Sequence, residues 1–167
     1  TLALLMALSR HIPDANQSLK AGKWERGKFT GVELYKKTLG IVGLGKIGSH
    51  VATVARAMGM KLLAYDPFLS NERAEQIGCR LVELDFLFRE SDYITLHLPK
   101  TPETQHLINA DTLAKMKPTA RIVNCARGGI IDEVAIAEAI KSGVIAGAAL
   151  DVFEKEPLGD SPLCQVE

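Results

Sequence analysis

Residues 38–59, TLGIVGLGKIGSHVATVARAMG, constrain the fold more than any other stretch. A short apolar run passes through glycines at 43, 45 and 48 straight into a segment in which Ile47, Val51, Val54 and Met58 recur at helical spacing. The first part reads as a buried strand and the second as a helix stopped by Gly59. A strand handed so abruptly to a helix is a unit that repeats, and the rest of the chain repeats it.

KLLAYD reads as the next strand, halted by Pro67, followed by a short helix over Glu72–Gln76 and a strand over Arg80–Val82. A helix over Asp85–Arg89 leads to DYITLHLP, a strand stopped by Pro99. Thr112–Met116 reads as a short helix, ARIVNCA as a strand, EVAIAEAIKSG as a helix capped by Asp132 and ended by Gly143, and VIAGAALDVF as the last strand. Continuous apolar strands alternating with helices imply a parallel sheet covered on both faces. The expected fold class is therefore α/β: a doubly wound parallel sheet of about six strands, of the Rossmann type.

Ahead of it, TLALLMALSRHIPDANQSLKAG has helical periodicity, with Leu2, Leu5, Met6 and Ser9 on one side. Pro13 opens a second helix there and Gly22 closes it. The polar stretch from Lys23 to Lys37 is expected to be a linker, with Trp24 and Phe29 as isolated anchors. Residues 1–37 are thus leading helices and linker, and 38–155 the Rossmann core, of one domain over 1–167.

Gly43-Leu44-Gly45-Lys46-Ile47-Gly48 is a G-x-G-x-x-G placed between a strand and a helix, and Asp66 ends the following strand. Gly43 permits the tight turn, Gly45 lets the backbone approach a pyrophosphate, and Gly48 lets the helix pack close. The helix start then offers unpaired N–H groups and partial positive charge to phosphates. Asp66 would accept hydrogen bonds from a ribose and repel a 2′-phosphate. No arginine directly follows it, so NAD is expected rather than NADP.

Twenty basic and twenty acidic residues cancel, which leaves no global field to favour nucleic acid or an anionic membrane. Cys79, Cys125 and Cys164 are scattered, without metal-ligand spacing, so reduced thiols in the cytoplasm and no metal are expected. The apolar stretch Leu2–Leu8 is too short to span a bilayer. A chain that starts without methionine, inside a helical pattern, reads as a fragment.

NCARGGIIDE puts Cys125, Ala126 and Arg127 at the carboxyl end of a strand, where open α/β sheets bind ligands. An arginine there is suited to bidentate capture of a carboxylate. ALDVFEKEP brings Asp151, Glu154 and Glu156 to the same edge. With GLGKIG, HLPKTPET, NCARGGIIDE and AGAALDVFEKEP in this order, the chain resembles the D-2-hydroxyacid dehydrogenase family. KWERGKFTGVELYKKTLGIVGLGKIG resembles its bacterial-type 3-phosphoglycerate branch, whereas the closing segment departs from the resemblance after Leu163.

The resemblance implies NAD-dependent oxidation of a small 2-hydroxy acid, D-3-phosphoglycerate first among them, as the opening step of L-serine biosynthesis. It implies that Arg127 binds the substrate carboxylate and polarises the carbonyl oxygen, and that Glu156 pairs with the catalytic histidine. Lys46 and Ile47 would touch the pyrophosphate. Leu98, Pro99, Cys125 and Ala126 would line the nicotinamide and ribose side, with Asp151 near the carboxamide. Leu98 stands where the family often has threonine. The family's histidine follows Glu156 in a Pro-His segment that this sequence does not reach, and its substrate domain is absent as well. His11, His50, His97 and His106 are expected to be surface or packing residues. The isolated chain is expected to bind NAD with little or no turnover. Two other readings stand beside this one: a relative acting on glyoxylate, hydroxypyruvate or lactate, and a non-catalytic NAD-sensing corepressor-like protein. Family members are usually dimers or tetramers, and the leucine face of the first helix is expected to pack against a second subunit or within its own chain.

Overall fold

The computed structural model describes residues 1–166. Helices α1 (Leu2–Arg10) and α2 (Ile12–Lys20) meet at His11, which takes a left-handed conformation, with Pro13 in the first turn of α2. Residues 21–37 then run without helix or strand. From there strands and helices alternate: β1 (Thr38–Val42), α3 (Lys46–Ala57), β2 (Lys61–Tyr65), α4 (Asn71–Ile77), β3 (Arg80–Leu81), α5 (Leu84–Glu90) and β4 (Tyr93–Leu96). They continue through α6 (Ala110–Leu113), β5 (Arg121–Asn124), α7 (Glu133–Lys141) and β6 (Gly147–Leu150). A short 3-10 turn, Pro162–Gln165, follows, with Ser161 as its cap.

The six strands are all parallel, in the order β3-β2-β1-β4-β5-β6. This is the doubly wound order expected. Side chains alternate between two cores because successive strand residues point to opposite faces. Leu39, Ile41, Leu62, Ala64, Tyr93 and Val123 face α1, α3 and α4. Val42, Leu63, Ile94, Leu96 and Ile122 face α5, α6 and α7.

Several local expectations are corrected. Helix α3 buries its small residues Gly48, Val51, Ala52 and Ala55, while Ile47 is 68% exposed. A helix that lies this close to its strand leaves room only for short side chains. Helix α6 starts at Ala110, earlier than read from spacing, because Asn109 and Thr112 form a reciprocal capping box. The last strand ends at Leu150, so Asp151 and Phe153 lie in a loop. Trp24 is no anchor, since it is 81% exposed. No helix among the described residues is long and apolar enough to cross a membrane.

The leucine face of α1 packs within the chain. Leu5 is fully buried, and Leu2, Leu4 and Leu8 join the same core. Ser9 Oγ donates to the Leu5 carbonyl (2.6 Å) and lies 3.0 Å from the Tyr93 hydroxyl, while the Ser9 carbonyl accepts from Val32 N–H (2.9 Å). Met6, by contrast, points out. Leu5→Ala is therefore expected to cost about 2–5 kcal/mol in urea unfolding, and Met6→Ala less than about 1 kcal/mol. Equal losses would place α1 outside the core.

Candidate functional site

The chain leaves β1 towards β2 through α3 on one face of the sheet, and leaves β4 towards β5 through α6 on the other. The connections diverge at this point, and a crevice opens above the carboxyl ends of β1 and β4. Gly43, with φ 93, ends β1 there. A Cβ at position 43 would lie 2.6 Å from the His97 carbonyl oxygen, and one at position 48 would run into the Gly43 carbonyl. These two glycines are thus required by the protein's own backbone. Gly45 is different: a Cβ there would meet nothing within 4 Å. It caps α3 without a side-chain hydrogen bond, so the first-turn N–H groups of α3 face open space. Lys46 and Ile47, both exposed, flank that opening.

Asp66 stands beside the turn. Its Oδ2 accepts from Leu44 N–H (2.8 Å) and its Oδ1 from Phe68 N–H (3.0 Å). It borders a cleft of about 640 Å³ with Tyr65, Pro67, Leu69 and Val82. A half-buried carboxylate next to an open helix N-terminus and an empty glycine cradle fits the sugar and diphosphate of a dinucleotide. Open donors suit phosphate, and an acceptor with lone pairs to spare suits ribose hydroxyls.

On the other side of the crevice, Leu98 is half-buried and Pro99 exposed as the chain leaves β4. Cys125 and Ala126, both half-buried, leave β5, followed by exposed Arg127. Arg127 Nη1 donates to the Ala126 carbonyl (2.7 Å). Asp151 and Glu156 are exposed in the loop after β6, where Glu156 Oε1 accepts from Phe153 N–H (3.1 Å). All these residues sit at one edge of the sheet. No group of three or more histidine, cysteine or acidic residues suited to a metal occurs among the described residues.

Sequence reasoning missed three contributors. Asn124 and Glu133 were legible only as a polar strand end and a first-turn acid, yet both bond to site loops. His106, read as a surface residue, places its Nε2 3.0 Å from Glu154 Oε1. The only available hint was its place in the HLPKTPET region after β4.

His97 is a packing residue. Its Nε2 lies 3.1 Å from Thr95 Oγ1, and burial pushes its imidazole down to about 4. The folded state therefore holds His97 neutral where the unfolded chain, at its ordinary 6.5, binds a proton. Unfolded protein binds more protons between these values, so stability rises with pH across the window from about 4 to 6.5 and is lost as pH falls through it. The contribution is at most about 3 kcal/mol. Urea unfolding of His97→Gln between pH 4.5 and 7 is expected to show a shallower pH slope than the parent. An unchanged slope would remove His97 as its source.

Residues 2–167 match the family model for D-isomer specific 2-hydroxyacid dehydrogenase, NAD binding domain. The match includes the closing segment that the motifs had left out. D-3-phosphoglycerate dehydrogenase of Synechocystis sp. is 74% identical over 162 residues, covering 97% of this chain and 29% of that protein. The Bacillus subtilis protein of the same name is 53% identical, covering 98% and 31%. The chain thus spans about three tenths of the length of these curated relatives. Among solved structures, D-lactate dehydrogenase from Aquifex aeolicus, complexed with NAD and lactic acid, matches with a TM-score of 0.88 at 37% identity, covering 95% of this chain and 47% of that one. With the glycine cradle, the Asp66 carboxylate and the strand order already in place, this chain belongs to the D-isomer specific 2-hydroxyacid dehydrogenase family, as its NAD-binding domain.

Proposed function

We propose that this chain is the NAD-binding part of an enzyme that oxidises D-3-phosphoglycerate to 3-phosphohydroxypyruvate, the first step of L-serine biosynthesis. The observation that carries the reading is the 74% identity to the Synechocystis protein named for that activity, sustained over 97% of the chain. Solved relatives named as D-lactate dehydrogenase or glyoxylate reductase are 37–40% identical. Residues 1–37 serve as leading helices and linker and 38–155 as the core, with the substrate domain supplied by chain outside 1–167.

Gly43, Gly45, Lys46, Ile47 and Gly48 hold the diphosphate of NAD through the backbone at the start of α3. Asp66 holds the adenosine ribose and repels a 2′-phosphate. Leu98, Pro99, Cys125 and Ala126 line the nicotinamide side, and Asp151 meets the carboxamide. When bound, NAD supplies the acceptor for the hydride leaving C2 of the substrate. Arg127 grips the substrate carboxylate and stabilises negative charge developing on the C2 oxygen. Glu156 presents its carboxylate to an imidazole from outside residues 1–167, raising that base's affinity for the hydroxyl proton.

Met6, Ile12, Leu19 and Trp24, all substantially exposed on or beside α1 and α2, support a homodimer or homotetramer that covers them. Three unpaired cysteines support a reducing, cytoplasmic setting.

Two experiments test this reading. Asp66→Asn keeps an acceptor for Leu44 N–H but removes the charge. Calorimetry is expected to show NAD binding weakened about tenfold and the preference over NADP reduced; an unaltered NAD-to-NADP ratio would exclude Asp66 as the selector. In the full-length protein, kcat/KM for D-3-phosphoglycerate is expected to exceed those for D-lactate, glycolate and D-glycerate by more than about a hundredfold. Equal or better turnover of D-lactate would move the enzyme to the lactate-type relatives.

A further inference from the structure

We propose that Asn124 is the positioning residue for the Arg127 guanidinium. The inference rests on the reading of Arg127 as the group that meets substrate. Asn124 is the last residue of β5, and only 2% of its surface is exposed. A buried amide is costly unless both its ends find partners, so an apolar side chain would serve better if filling space were the only requirement. Both ends of Asn124 do find partners, and both belong to the loop that carries Arg127.

Asn124 Oδ1 accepts from Ala126 N–H (3.0 Å), and Nδ2 donates to the Arg127 carbonyl (3.0 Å). The peptides before Ala126 and after Arg127 are thereby held, and the Ala126 carbonyl between them accepts from Arg127 Nη1 (2.7 Å). A relay follows: the buried amide orients the Ala126 residue, and the Ala126 carbonyl orients the guanidinium. The amide itself is anchored, because Asn124 is paired in register with Leu96 of β4 and Leu150 of β6. The loop is held from its other side as well, since a side chain at Gly128 would collide with the Phe153 carbonyl. Asn124 acts through Arg127. A guanidinium held in a single orientation loses less freedom when it binds a carboxylate, and misplacement by even one ångström is costly to a reacting geometry.

The test uses the full-length protein. Asn124→Asp keeps the acceptor for Ala126 N–H but puts an oxygen where the donor faces the Arg127 carbonyl. Asn124→Ser, smaller and still polar, serves if the first variant does not accumulate as folded protein. Each is expected to lower kcat/KM for the 2-hydroxy acid about tenfold or more while NAD affinity by calorimetry stays within about threefold. In the Arg127→Ala background the same change is expected to cost no more than about twofold further, because the group it positions is gone. Parent-like kcat/KM in the Asn124 variants, or a loss that multiplies in full on Arg127→Ala, overturns the positioning role and leaves the Arg127 reading intact. An Arg127→Ala protein with parent-like kcat/KM overturns the Arg127 reading itself, and this inference with it.

Discussion

The backbone of the first turn is wedged between two carbonyls. The His97 carbonyl, at the end of β4, closes off any side chain at 43, and the Gly43 carbonyl closes off any at 48. Strand β1, the exit of β4 and the first turn of α3 are thus brought as close as main chains can come. That closeness fixes where α3 begins and aims its uncapped N–H groups across the crevice. Gly45 lies in the same turn under no such internal pressure, so the space over it belongs to whatever the crevice receives.

Asp66 joins this geometry to charge. Its bond to Leu44 N–H is internal to the turn and would be worth keeping with nothing bound. The same carboxylate also presents negative charge a few ångströms from the positive end of α3, and the two ends of that field suit opposite ends of a dinucleotide's adenosine half. One side chain thereby serves the fold and, under the proposed function, the selection of the ligand. Replacing its charge and removing its acceptor are therefore different experiments, which is why an asparagine separates them and an alanine does not.

Periodicity made the sheet legible, because a parallel strand buried on both faces must be continuously apolar. The six strand positions follow from that rule, and the order in which they pair comes from the structure. Errors arose where tertiary packing outweighs pattern. Ile47 belongs to the helical stripe by spacing, but α3 lies too close to β1 for a large residue there, so the buried face keeps Val51 from that stripe and is completed by Ala52, Ala55 and Gly48. Trp24 reads as an anchor by size alone, and nothing in residues 21–37 covers it. Of the candidate site, residues bearing charge or glycine were visible in one dimension. The groups that hold them, Asn124 beneath Arg127 and Glu133 beside the Glu156 loop, are seen only when loops from separate strands meet.

Those loops are also tied to one another. Glu133, at the start of α7, accepts from Glu154 N–H through Oε1 (2.7 Å) and from Ser161 Oγ through Oε2 (3.3 Å). Glu154 in turn reaches His106 in the loop after β4, and His106 N–H donates to the Gly129 carbonyl (2.9 Å) beside the Arg127 turn. The exits of β4, β5 and β6 are therefore linked by hydrogen bonds, through the same loops that carry Arg127 and Glu156. Side chains that act together from separate loops gain little from rigid loops that drift independently. Hydrogen bonds shared between the loops restrain them relative to one another even where their side chains are exposed.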